Sequence, residues 1–156
     1  AGDLRLMTTE KRYNATWPDR ITISVTPSAA VAAAMLAIEN VSSSPIKWVD
    51  TAGGYAVSND SSTHPAALDP TTLTPRDLNI QIYAAEYDPW FSGTKGLPGY
   101  TDAAQTTAAS DYSTIRNTIG VLVRSGDTPD VSTSLRLIHQ SSGYWLQTAI
   151  GVEGAQ

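Results

Sequence analysis

Few residues in this chain have the types and spacing that chemistry needs. Glu86 and Asp88 stand two apart, just past an alternating apolar run. On a continued strand they share a face, as paired carboxylates must for acid–base work. The same residues suit the exit of a strand, where carboxylates stay solvated and Asp88-Pro89 begins a turn. His64 and His139 are the only histidines, and neither belongs to a cluster with metal-ligand spacing. Serines are plentiful, but no G-x-S-x-G segment exists to hold one as a nucleophile. Asn59-Asp60, and Asp127 with Asp130, offer oxygens of the kind calcium takes, without a D-x-D-x-D spacing. Turn formation accounts for them equally well. Neither G-x-x-x-x-G-K nor G-x-G-x-x-G occurs, so no nucleotide cofactor is implied. The sequence therefore predicts a non-enzymatic protein with no catalytic residue, no metal site and no cofactor.

Aromatic residues are the stronger signal. Tyr83, Tyr87, Trp90, Phe91 and Tyr100 crowd around a loop rich in Gly and Pro. Rings on loops make flat contact surfaces that lose little conformational entropy on binding. Phe91 suits a plug at one end of a core, whereas Tyr87, Trp90 and Tyr100 are candidate binding residues. Tyr144-Trp145 is a second pair, on adjacent positions of a strand. Successive strand residues point to opposite faces, so one ring faces outward or into a neighbour, and both are candidates for an interface.

The elements that must position these residues are mostly strands. Arg20 to Thr26 alternates, with Ile21, Ile23 and Val25 on one face. Leu78 to Ala85 alternates likewise, with Leu78, Ile80, Ile82 and Ala84 on one face. Ile46 to Val49 is a short strand carrying Trp48, and Tyr55-Ala56-Val57 fits another. Ala29 to Glu39 satisfies both a helix and a strand covered on both sides, with the strand preferred. Asn40 to Pro45 reads as a turn, and Asp102 to Asn117 as an Ala/Thr-rich stretch with room for a short helix. Ile119 to Arg124, Ser134 to His139 and Tyr144 to Ile150 read as an antiparallel meander, its last two strands joined across Gln140-Ser141-Ser142-Gly143. The prediction is one all-β domain over 1–156, an antiparallel β-sandwich or jelly-roll of seven to eight short strands. Residues 1–18 form an arm or edge strand, and 50–75 and 86–118 are long loops.

Composition narrows the partners. The chain has 156 residues, no cysteine, a net charge of −5 and only 16% charged residues. A usual charged fraction is about 25%. Ser, Thr and Ala take the place of Lys and Glu, leaving a surface that costs little to desolvate. The lysines are Lys11, Lys47 and Lys95, and the arginines are scattered, so no basic stripe exists to bind nucleic acid directly. No apolar run reaches the length of a transmembrane helix, about 18 residues. Ala1-Gly2-Asp3 and Gly154-Ala155-Gln156 both suit processing cuts, the latter of a type some viral polyprotein proteases favour.

Together these features predict a surface-presentation domain, a viral coat or protruding spike subunit, on a virion surface or outside the cell. Its partners are copies of itself or other shell proteins, with a cell-surface glycan or receptor at the aromatic residues. The alternative is a secreted lectin-like or membrane-binding, cytolysin-like recognition module. An enzyme with a non-obvious site is the third.

Overall fold

The computed structural model describes residues 5–8, 22, 31–56, 61–64, 74–86, 101–109, 116–125, 135–138 and 142–156. Seven strands lie in this part: β1 (Val41–Ala56), β2 (Ser61–His64), β3 (Leu78–Glu86), β4 (Thr101–Ala109), β5 (Arg116–Ser125), β6 (Leu135–Ile138) and β7 (Gly143–Gly154). Five form one sheet in the order β1-β7-β3-β5-β4, and β2 pairs with β6 in a two-stranded sheet. Every pairing is antiparallel. No helix occurs among the described residues, and so none long and apolar enough to cross a membrane. The all-β, antiparallel expectation holds.

The pairings are nested. β1 meets β7, β2 meets β6 and β3 meets β5, each pair enclosed in sequence by the one before. β7 also meets β3, and β4 adds to the far side of β5. This overturns the meander expected for β5, β6 and β7, because none of the three pairs with another. Local turn length suggested neighbours. Distant strands of matching pattern supply the partners instead.

Residues directly opposite in an antiparallel pair point to the same side. Register therefore assigns two faces to the sheet. One is aliphatic: Leu78, Ile80, Ile82 and Ala84 of β3 stand opposite Val152, Ile150, Thr148 and Leu146 of β7, and opposite Ser125, Val123, Val121 and Ile119 of β5. Ile80, Val121 and Val152 form its buried centre, with Ile38, just before β1, and Val41, its first residue, packed against it. The other face carries Asn79, Gln81, Tyr83 and Ala85 beside Ala149, Gln147 and Trp145. This amide-bearing face is the more deeply buried at β3. Asn79 and Gln81 are 1% exposed and Tyr83 is fully buried, while Leu78 and Ile82 are only half-buried. Buried amides persist when they bond one another. Here Gln147 Nε2 donates to Gln81 Oε1 at 3.0 Å, and Gln81 Nε2 donates to Asn79 Oδ1 at 2.8 Å.

Other expectations fail for identifiable reasons. Residues 41–45, read as a turn, begin β1. Hydroxyl side chains suit a half-exposed edge strand, and Pro45 sits where the β1–β7 register shifts, between Val41 and Ile46. The turn is confined to Asn40, which adopts φ 56° and accepts the Ala155 N–H through its carbonyl at 2.7 Å. Residues 31–39 are neither helix nor strand, with Met35 and Leu36 exposed. Residues 101–109 form β4 rather than loop or helix, since Thr favours strands and the edge of a sheet tolerates Ala. The regions 50–75 and 86–118, expected as long loops, thus contain the end of β1, all of β2 and β4, and the start of β5. The expected arm at 1–18 and strand at 20–26 lie almost wholly outside the described residues.

Candidate functional site

At one end of the large sheet a row of residues runs across neighbouring strands, in register with its aliphatic face. Tyr55, next to last in β1, stands opposite Tyr144 at the start of β7. Glu86 ends β3, one step beyond the paired Ala85 and Trp145, and its Oε2 accepts the Tyr144 backbone N–H at 3.1 Å. Asn117 of β5 occupies the next place, opposite Glu86. The two tyrosine rings meet edge to face, with centroids 5.0 Å apart and planes at 72°. This is the favourable geometry for an aromatic pair, whose ring faces are negative and edges positive. Both rings nevertheless remain largely open, Tyr55 at 57% and Tyr144 at 45% exposure.

Trp145 points the other way, as strand alternation requires. It is 9% exposed and packs with Ala85. Its indole lies over Gly54, where an added Cβ would stand 3.1 Å from Nε1. Of the candidate pair, Tyr144 is therefore the surface ring and Trp145 is part of the packing beneath it. Tyr87, Trp90 and Tyr100, with Asp88, Phe91, His139, Asp127 and Asp130, lie outside the described residues. His64 ends β2, paired with Leu135. Among the described residues no three His, Cys, Asp or Glu side chains gather as a metal site would require.

The sheet's opposite end holds a buried charge. Asp77, 1% exposed, precedes β3 and clasps three segments. Its Oδ2 accepts Lys47 Nζ of β1 at 2.8 Å and the Thr74 N–H at 2.6 Å, while Oδ1 accepts the Gly154 N–H of β7 at 3.1 Å. Burial pushes this carboxyl up, but the Lys47 ammonium and the Thr74 and Gly154 donors outweigh it and hold it at about 2, below the ordinary 3.8. A general acid or base works best with a pKa near the working pH. Asp77 is locked in its ionised form with its oxygens occupied, so it serves as a staple.

Sequence reasoning singled out Tyr144 as a candidate binding residue and Glu86 only as a partner for Asp88; it did not single out Tyr55, the Lys47–Asp77 clasp or the amide ladder. Tyr55 becomes notable only through its register opposite Tyr144, which no local pattern announces. In comparison with known proteins, no family model, no curated protein and no solved structure matches the chain.

Proposed function

We propose that this protein is a non-enzymatic surface-presentation domain of jelly-roll architecture, a coat or protruding subunit of a virus shell. It packs against copies of itself or other shell proteins and carries a recognition surface at the Tyr55–Tyr144 end. The architecture is supported by the nested pairing. A ribbon of two strands folded over on itself gives pairs β1–β7, β2–β6 and β3–β5 in succession, as in the jelly-rolls of capsid and lectin domains. β4, continuing the same sheet beyond β5, is an addition to that scheme. Fold alone assigns no function, so the proposal leans on the surface.

The observation that carries it is a pair of exposed apolar side chains on β1. Ile46 and Val49 lie on the same face of the sheet and are 37% and 53% exposed, set apart along the strand from the Tyr55–Tyr144 end by Thr51 and Gly53. Neighbouring exposed apolar side chains on a sheet edge suit a contact region. Light scattering of the untagged protein, with electron microscopy of any large species, tests this directly. A closed symmetric assembly whose interface covers this pair is the expected result. A protein that stays monomeric at high concentration and alongside its shell partners refutes it. A lectin-like recognition module is the second reading, favoured by the open tyrosine pair beside Glu86.

A further inference from the structure

We infer that the row Tyr55–Tyr144–Glu86 is a glycan-binding site that takes a neutral pyranose. The inference rests on the recognition surface proposed above and gives it a ligand class. Three observations point the same way. First, the two rings are edge to face and both exposed, so they form a corner in which one ring offers a face and the other a wall. A pyranose has an apolar C–H side that stacks on an aromatic face, and its hydroxyls project from the rim. Second, a carboxylate stands at the foot of this corner. Glu86 spends Oε2 on the Tyr144 N–H, and among the described residues no other group donates to it. Its remaining lone pairs can accept two vicinal hydroxyls of a sugar, a charge-assisted contact with strict geometry. Third, the corner is held in place. The Tyr144 backbone is anchored by that bond, and the adjacent Trp145 is buried on the opposite face, so the strand that carries the corner is ordered before binding.

The partner's charge follows from the same residues. With a carboxylate as the polar anchor and an overall charge of −5, a sialylated or sulfated sugar is repelled, and a neutral hexose is accepted.

The test is titration of the full chain with methyl β-galactoside, methyl β-glucoside and methyl α-mannoside, followed by amide NMR. At least one glycoside should give saturable shifts at Tyr55, Tyr144 and Glu86 with a millimolar dissociation constant, ordinary for a single sugar at an open site. Tyr144→Ala and Tyr55→Ser should each weaken binding about tenfold or more, and Tyr144→Phe should stay within about threefold, because the ring and not the hydroxyl makes the contact. Glu86→Gln, which keeps the shape, should weaken binding several-fold. Thermal melts of each variant separate lost binding from lost folding, and Tyr144→Phe and Glu86→Gln preserve a readout if the truncations unfold. No shift with any of the glycosides in folded protein overturns the site. So do shifts at these residues that depend only on protein concentration, which assign the row to self-association. Light scattering keeps the two proposals apart: an assembly without sugar binding ends this inference alone, and sugar binding by a lasting monomer ends the assembly proposal alone.

Discussion

Replacing Asp77 by Asn should destabilise the fold by about 2–4 kcal/mol at neutral pH. The carboxyl lies at about 2 in the folded protein against 3.8 when unperturbed. At about 1.4 kcal/mol per pH unit, that gap corresponds to roughly 2.5 kcal/mol of stability held by the ionised form. Asn keeps the shape but places an N–H₂ where a carboxylate oxygen now accepts. Whichever way the amide turns, it opposes at least one of the Lys47, Thr74 or Gly154 donors. A buried donor left without a partner costs about 1–3 kcal/mol, a loss that largely overlaps with the first rather than adding to it in full. For a domain of this size the loss lowers the melting temperature by roughly 5–15 °C. The pH dependence follows from the direction of the shift. A carboxyl depressed in the folded state contributes its full stability above the unfolded value of 3.8 and loses it as pH falls through about 2. Urea denaturation of wild type and Asp77→Asn between pH 7 and pH 2 should therefore show two curves separated at neutral pH and converging in acid. Parallel curves across that range, or a difference below about 0.5 kcal/mol at pH 7, would refute the assignment of Asp77 as a charged staple.

Three other perturbations probe different parts of the sheet. Gly154→Ala should cost about 1–3 kcal/mol in denaturation experiments, because the new Cβ overlaps the Arg76 carbonyl; Gly53→Ala should cost less, since its first conflict is with the movable tip of Leu146. Ile80→Asp should leave no folded population by circular dichroism, because it buries an unpaired charge at a 5% exposed site, whereas Val49→Asp, 53% exposed on the same face, should fold. Gln81→Leu should cost about 2–3 kcal/mol by orphaning Asn79 Oδ1 and Gln147 Nε2, and adding Gln147→Leu should recover part of the loss, a coupling that a double-mutant cycle reads directly.

Strands were legible where apolar and polar residues contrast. β3, β5, β6 and β7 each alternate or carry β-branched runs, and each appears within a few residues of its expected place. β4 reads Thr-Asp-Ala-Ala-Gln-Thr-Thr-Ala-Ala and lacks that contrast, and the start of β1 hides behind Ser42, Ser43, Ser44 and Pro45. Pairing was not legible at all. Short links invite a meander, but whether Tyr144 finds another ring or an alanine depends on a strand far away in sequence. Alternation also misjudged depth. It correctly placed Leu78, Ile80, Ile82 and Ala84 together, yet the opposite side of β3 is the more buried, because amides that bond each other are tolerated in an interior.

The nested pairing bears on how the chain is made. β7, last of the seven in sequence, is not an outer strand; it lies between β1 and β3. While the chain emerges from a ribosome, β3, β4 and β5 can pair early, since they are near one another in sequence and closure costs less entropy for nearby segments. β3 then keeps one open edge, and β1 has no neighbour in the large sheet, until the final strand arrives to slot between them. Until β7 is made, the polypeptide therefore displays unpaired strand edges, the surfaces most prone to pair with a neighbouring nascent chain. Premature termination before residue 143 removes the strand that joins the two parts of the sheet, so such fragments should aggregate rather than form a smaller version of the domain.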